Sequence, residues 1–185
     1  MIRRQGSSTL LSKEPRRAVS SSRRRAHDPT RLVADAMLGS LARKLRAFGF
    51  DTIYYKDGED STLLELAASE GRVLLTSDRA LSERADNRRI MSLVIMGSKE
   101  SKRLVSLRFA ADAKGLVLVR GPPRCSLCNG NLERSPRSEL ANRLPAGVLS
   151  RHRLFYRCVL CGMVYWRGSH WKKLRWLEKR LEQDS

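Results

Sequence analysis

The chain has 185 residues and a mass of 21.0 kDa, enough for one ordinary domain with a small module or for two small domains, and too little for a large multidomain enzyme. Its 37 Lys and Arg residues exceed its 19 Asp and Glu residues, which gives a net charge of +18 and favours a polyanionic partner such as nucleic acid. No apolar run approaches the ~18 residues that a membrane span requires, so we do not expect an integral membrane protein.

The first segment, 1–30, is basic and has almost no apolar pattern. It holds eight basic and two acidic residues together with several serines. Such a segment cannot bury enough surface to offset its ordering entropy, so we expect a disordered basic tail. The same composition is also typical of an organelle transit peptide, which remains the alternative.

The second segment, 31–120, alternates strand and helix signals. Apolar, β-branched or aromatic runs predict strands at 32–34, 52–55, 73–76, 93–96 and 116–119. Between the first two runs, leucines recur at helical spacing up to Gly49, and a second helix containing Leu63, Leu64 and Ala67 closes at Gly71. Four or five strands separated by helices predict an α/β fold with a parallel sheet.

Two of the predicted strands are followed by an aspartate. Asp35 follows the first run, and Asp78 lies two residues beyond Thr76. A third acidic group follows the second strand and comprises Asp57, Glu59 and Asp60. In an open parallel sheet, ligands bind beyond the carboxyl ends of the strands, and carboxylates that meet there require a hard cation such as Mg²⁺ or Mn²⁺. Beside a phosphodiester, such a cation activates a water and stabilises the leaving oxygen.

The alternative for each of these acids is a structural one. Aspartate directly after a strand is common as a helix N-cap, and acids early in a helix suit the helix dipole. Taken singly, Asp35, Asp60 and Asp78 each fit a helix cap better than a metal ligand, and only their convergence favours the metal site.

The run VADAMLGSLARKLR at 33–46, followed by GFDT at 49–52, resembles the opening of the Mut-seven-C RNase domain family. The resemblance continues at Asp60, at 63–67 and at 71–79, and it extends from about residue 31 to about residue 177. It implies a PIN-like fold with a C-terminal zinc ribbon. It also implies a metal-dependent ribonuclease of PIN type, with Asp35, Asp60 and Asp78 as the acidic cluster.

The sequence departs from this family in one place near the site. The family usually has Arg where Ser77 stands, and a phosphate contact is expected to pass to Arg79 or Arg43 instead. A fourth acid after Asp78, which many PIN nucleases carry, is not evident in the sequence.

The third segment, 121–185, contains every cysteine of the chain in two pairs, each with a gap of two residues. The four are Cys125, Cys128, Cys158 and Cys161. This spacing predicts a structural Zn²⁺ site with four thiolates, and the long interval between the pairs implies an insertion at about 136–149. The alternatives are two disulfides, which require an oxidising compartment, and a thioredoxin-like redox pair.

The end of the chain predicts a terminal helix from Trp171, with Trp171, Leu174 and Leu181 on its apolar side. The predicted RNA contacts lie around this helix and near the acidic residues of the second segment. They are Arg43, Arg46, Arg79, Arg167, His170, Trp171, Lys172 and Lys173. Tryptophans among basic residues are suited to stacking on unpaired nucleotides. The alternatives are that His170 serves packing or hydrogen bonding, that Trp171 packs the helix on the ribbon, and that the basic residues form a solvated face.

We therefore expect three regions: a tail at 1–30, a PIN-like domain at 31–120 and a zinc ribbon with a helix at 121–185. The leading hypothesis is a cytoplasmic endoribonuclease that depends on Mg²⁺ or Mn²⁺. The rival is a non-catalytic RNA-binding protein lodged on ribosomal RNA, which the basic tail and the zinc ribbon also fit. A DNA-binding regulator is disfavoured, because no helix-turn-helix or tandem-finger spacing is present.

Overall fold

The computed structural model describes residues 28–182, so most of the predicted tail at 1–30 lies outside the described residues. Four strands form a parallel sheet in the order β2-β1-β3-β4: β1 (Arg31–Ala34), β2 (Asp51–Tyr54), β3 (Val73–Thr76) and β4 (Ser92–Val94). The helices that flank it are α1 (Gly39–Ala47), α2 (Asp60–Glu70), α3 (Arg79–Asn87) and α4 (Glu100–Ala113). The predicted α/β fold with a parallel sheet is confirmed.

The two central strands are buried on both faces, which explains their continuous apolar runs. Leu32 and Ala34 of β1 face one apolar cluster, formed with α1 and α4, whereas Val33 faces a second cluster formed with α2 and α3. The alternation follows from the two-residue period of a strand. The sheet is thus covered by a helical layer on each side.

The run 116–119 was predicted as a strand, and this prediction is wrong. The run adds no strand to the sheet, and it is tied to the chain before β1 by a bond of 2.8 Å from the Thr30 N–H to the Val119 carbonyl. The side chain of Val117 is largely exposed. Both sides of β1 are already occupied, by β2 and β3, so no ladder position beside it remains for this run.

The predicted helix ends are confirmed at the two glycines. Gly71 adopts a left-handed conformation with φ of 60° and closes α2. Gly49 follows α1 with φ of 96°, and a Cβ at this position would collide with the carbonyl oxygen of Gly121. The Gly121 N–H also donates to the Gly49 carbonyl at 2.9 Å, so the C-terminal region leaves the first domain against the end of α1.

The C-terminal region contains a small antiparallel sheet in the order β5-β6-β7, made of β5 (Leu132–Ser135), β6 (Phe155–Cys158) and β7 (Val164–Trp166). Between β5 and β6 the chain forms a 3-10 turn at Arg137–Leu140 and a short helix, α5 (Ala146–Arg151), where the insertion was predicted. This pair of elements lengthens the interval between the cysteine pairs without disturbing the sheet.

The terminal helix, α6 (His170–Glu182), packs against α4. Leu177 is buried and joins the apolar cluster of α1 and α4, and Leu174 and Leu181 pack at its margin. The apolar side of α6 thus faces the α/β domain through these three leucines, and the packing role of Trp171 stays a prediction. Within 28–182, no helix has both the length and the apolar character needed to cross a bilayer.

Candidate functional site

Asp35 and Asp78 follow the carboxyl ends of the neighbouring strands β1 and β3. The Thr76 hydroxyl donates to Asp35 Oδ2, and the Asp78 N–H donates to the same Thr76 oxygen at 2.9 Å. The Ser77 N–H also donates to Asp35 Oδ2, at 3.3 Å. Asp35 is 7% exposed, whereas Asp78 is exposed. Thr76 thus connects the two acids and fixes the buried one.

Both acids also cap helices, as the structural alternative expected. Asp35 Oδ1 accepts from the Met37 N–H at 3.0 Å, and Asp78 Oδ1 accepts from the N–H groups of Ala80 and Leu81 at the start of α3. Each cap uses one carboxylate oxygen. In the described part of the chain, Asp78 Oδ2 has no hydrogen-bond partner, and this oxygen remains open to solvent or to a ligand.

Asp60 does not join the other two acids. It is the first residue of α2, and its carboxylate forms an exposed ion pair with Arg84 of α3. Among residues 28–182, the three acids do not form a group whose oxygens lie close enough to share one ion. The structure thus brings Asp35 and Asp78 to one edge of the sheet and holds Asp60 through Arg84.

Glu100 lies at the same edge of the sheet and was not identified from the sequence. It is the first residue of α4, after β4, and its carboxylate pairs with Lys44 and accepts from the Ser40 hydroxyl. Burial, the largest influence, acts to raise the pKa of this carboxyl, but the hydrogen bonds from Lys44 and Ser40 lower it overall. An acid at the first helical position after the fourth strand is the signal that identifies it.

Ser77 has a defined structural role at this end of the sheet. Its hydroxyl donates to the Ile95 carbonyl at 2.9 Å, just beyond β4, and its N–H donates to Asp35. The residue ties together the ends of two strands. Arg79 and Arg43, the predicted substitutes for a phosphate contact, are both exposed.

The donor set at this edge fits Mg²⁺ or Mn²⁺. These ions keep several waters and bind proteins through one or two carboxylates together with the phosphates of a substrate. Asp35 and Asp78 supply two carboxylates on adjacent parallel strands, and one of them has an open oxygen. The pair therefore offers the carboxylate oxygens that these ions prefer.

The four cysteines converge on one point, and their sulfur atoms all lie within 4.8 Å of one another. The Sγ atoms of Cys125 and Cys161 are 3.5 Å apart, and those of Cys128 and Cys158 are 3.4 Å apart. Disulfide sulfurs lie at about 2.0 Å, so both alternatives that pair these cysteines covalently are disfavoured. A tetrahedron with Zn–S bonds of about 2.3 Å has S–S edges of about 3.8 Å. The cluster therefore fits a structural metal such as zinc.

The thiols differ in their acidity. Burial, the largest influence, acts to raise the pKa of Cys125, but hydrogen bonds from Tyr165 and from the backbone of the knuckle lower it to about 6. Burial and the neighbouring sulfurs raise the pKa of Cys128 to about 12. A cation that is shared by all four sulfurs relieves this conflict, since zinc binds thiolates.

The first cysteine knuckle, residues 125–128, docks on β2, which is an outer strand of the parallel sheet. Arg46 of α1 is 6% exposed, and its guanidinium donates to the carbonyls of Thr52, Ser126 and Leu127 at 2.7, 3.1 and 2.9 Å. The prediction that Arg46 contacts RNA is corrected, because every one of these bonds points into the protein. Arg46 instead holds the knuckle against the α/β domain.

The other predicted RNA contacts differ in exposure. Those exposed are Arg43, Arg79, Arg167, Lys172 and Lys173, whereas Trp171 is half-buried beneath the Arg167 guanidinium, 5.1 Å from its ring centroid. The side chain of His170 lies outside what the structure describes. For all of these, a role in RNA binding stays a prediction.

The comparison with known families agrees with this arrangement. The model of the Mut7-C RNAse domain matches residues 30–177, from the start of β1 to Leu177 of α6. The matched stretch contains Asp35, Asp78 and the four cysteines. A comparison with curated proteins found no match. The chain therefore belongs to the Mut7-C RNAse domain family.

Proposed function

We propose that the protein is a cytoplasmic endoribonuclease that depends on Mg²⁺ or Mn²⁺. The observation that carries the proposal is the pair of Asp35 and Asp78, joined by Thr76 at the carboxyl ends of adjacent parallel strands. Membership of an RNAse domain family and the net charge of +18 support RNA as the substrate.

The roles of the side chains follow from their surroundings. Asp35 and Asp78 would hold the metal, which supplies an activated water and stabilises the leaving oxygen of the phosphodiester. Thr76 and the Ser77 N–H orient Asp35 by donating to its Oδ2. Asp60 would be a third ligand only after it leaves Arg84, and a phosphate that draws Arg84 away would free it.

The test is RNA cleavage with added Mn²⁺ or Mg²⁺. Asp78→Asn is the most informative variant, because Asn is as good an N-cap as Asp and the helix start is preserved. We expect a loss of at least about a hundredfold in rate for this variant and for Asp35→Asn. Asp112→Asn, an exposed carboxylate on α4, is the matched control and should cleave like the wild type. Equal cleavage by wild type and Asp78→Asn, or none by any chain, contradicts the proposal.

A second candidate is a non-catalytic RNA-binding protein associated with the ribosome. The observation that favours it is that Asp35 and Asp78 cap helices while Asp60 pairs with Arg84, so each acid has a partner without any metal. Sucrose-gradient sedimentation of cell extract at low and high salt tests it. A protein that stays in the light fractions at both salt concentrations contradicts ribosome association.

A further inference from the structure

A groove between α4 and α6 is the second feature of the surface with a composition suited to a ligand. Its volume is about 490 Å³, and its lining includes Met96, Gly97, Lys102, Phe109, Trp176 and Arg180. It is widely open to solvent, so a small molecule would remain largely exposed in it, and a longer ligand suits it better.

The apolar part of this lining is unusually exposed. Met96 and Phe109 are each 60% exposed and Trp176 is 49% exposed, and all three line one groove, as in the contiguous apolar patches that mark interaction sites. Phe109 comes from α4 and Trp176 from α6, so the two rings are held on different helices of one packed pair. The groove therefore presents two aromatic side chains on a fixed pair of helices.

The charged part of the lining is purely cationic. Lys102 and Arg180 are its only charged residues, and neither forms an ion pair with any residue of 28–182. The Arg180 guanidinium lies over the Trp176 ring, 4.8 Å from its centroid. The acids of α6, Glu178 and Glu182, are instead paired with Arg120. Aromatic rings beside unpaired cations are the combination that binds single-stranded nucleic acid.

One lining residue of the groove, Met96, follows β4 directly after the residue that Ser77 contacts. Met96 donates its N–H to Ser106 of α4 at 2.8 Å, and the preceding Ile95 accepts from the Ser77 hydroxyl at 2.9 Å. Ser77 directly precedes Asp78. Hydrogen bonds through Ile95 and Ser77 thus connect one wall of the groove with the loop that carries Asp78.

We propose that this groove binds single-stranded RNA, with unpaired bases stacked on Trp176 and Phe109 and with phosphates at Lys102 and Arg180. The inference rests on the proposed function in taking RNA as the substrate, and it adds that the substrate is unpaired on one side of the cleaved bond. A duplex is a poor ligand for the groove, because its bases are stacked on each other and do not present their faces.

The test is binding of a fluorescent oligouridylate to the full chain without added Mg²⁺ or Mn²⁺, so that affinity is measured whether or not the protein cleaves. We expect Trp176→Ala and Phe109→Ala each to weaken binding about tenfold, and Trp176→Phe to stay within about twofold because its ring still stacks. Lys102→Ala should reduce the salt dependence by about 0.7 in the slope of log affinity. Val117→Ala, exposed and outside the groove, is the matched control.

Thermal unfolding of each variant distinguishes a loss of affinity from a loss of fold. Because Phe109 and Trp176 are exposed, we expect the unfolding temperatures of the variants to stay close to that of the wild type. Unchanged oligouridylate affinity in both alanine variants overturns the proposal and leaves the groove to a protein partner. If the chain binds the annealed duplex as tightly as the single strand, and the alanine variants lose as much affinity for the duplex, the requirement for unpaired bases is overturned. If the wild type does not cleave RNA but the alanine variants bind oligouridylate more weakly than it does, the nuclease is rejected and the groove stands. If the wild type cleaves RNA and the alanine variants bind and cleave as it does, the groove is rejected and the nuclease stands.

Discussion

The amide of Asn129 donates to the carboxylate of Asp51, with Nδ2 and Oδ1 2.8 Å apart, and this bond joins the cysteine knuckle to the edge strand of the parallel sheet. The same amide accepts the Thr52 N–H through its Oδ1 at 3.1 Å. An edge strand otherwise presents unpaired backbone groups. Asn129 follows Cys128 directly, so it links the metal site to β2 in addition to Arg46.

The first prediction concerns the two arginines of α1. Arg46→Ala should lower the free energy of unfolding by about 2–4 kcal/mol, because three carbonyls lose a buried charged donor. Arg43→Ala, three residues away and exposed, should change it by less than about 0.5 kcal/mol. Urea denaturation of the three chains measures both. A similar loss in the two variants contradicts the clamp role of Arg46.

The second prediction concerns Asn129 itself, which has φ of 69°. Asn129→Ala loses both side-chain bonds to β2 and also strains the left-handed backbone, whereas Asn129→Gly loses the bonds without the strain. We expect Asn129→Ala to be the less stable of the two by about 1 kcal/mol, and both to be less stable than the wild type. Thermal denaturation ranks the three chains, and the reverse order would show that the backbone angle is not constrained.

The third prediction concerns pH. Burial, the largest influence, acts to raise the pKa of Asp51, but hydrogen bonds from Arg72 and Asn129 and the charges of Arg72 and Arg124 hold it below the ordinary value of 3.8. A folded-state pKa below the unfolded one stabilises the protein above the unfolded value, and this stability is lost as pH falls through the folded pKa. The difference in unfolding free energy between wild type and Asp51→Asn should therefore be largest near neutral pH and shrink below about pH 4.

Urea denaturation at a series of pH values measures this difference. Zinc content is measured for both chains at each pH, and only points with equal zinc content enter the comparison. A difference that grows as the pH falls contradicts the assignment, because it would mean that the protonated form of Asp51 is the stabilised one.

The fourth prediction concerns the metal. Purified protein should contain about one zinc ion per chain, and chelation should destabilise it by several kcal/mol, since the four thiols lose the cation that they share. Because the Thr52 N–H is bonded to Asn129, its hydrogen exchange should also accelerate on chelation. The amide of Leu74, in the central β3, is the internal control. Exchange at Thr52 that does not respond to chelation would separate the metal from the sheet edge.

Much of the fold is determined locally in the sequence. The apolar runs of β1 and β3 predict buried strands because both faces of each are covered, and the glycines after α1 and α2 mark helix ends because their φ values favour glycine. The four cysteines predict a metal site from spacing alone, because a two-residue gap directs two thiolates to one side of a knuckle. These features depend on residues that are near one another in the chain.

Tertiary structure decided the features that depend on partners far apart in the sequence. The run 116–119 has a strand composition, but its possible neighbour β1 is already paired on both sides. Arg46 has the composition of a nucleic-acid contact, but the knuckle some eighty residues later surrounds its guanidinium with carbonyls. Asp60 pairs with Arg84, and Glu100 reaches the acidic edge through the order of the strands.

The sequence by itself thus determined the buried strands, the helix ends and the cysteine knuckles, because each depends on local spacing of residue types. Only the packed structure decided which charges are free and which are used internally. The physical reason is that the burial and pairing of an ionic side chain depend on what the rest of the chain brings against it, and periodicity carries no information about that.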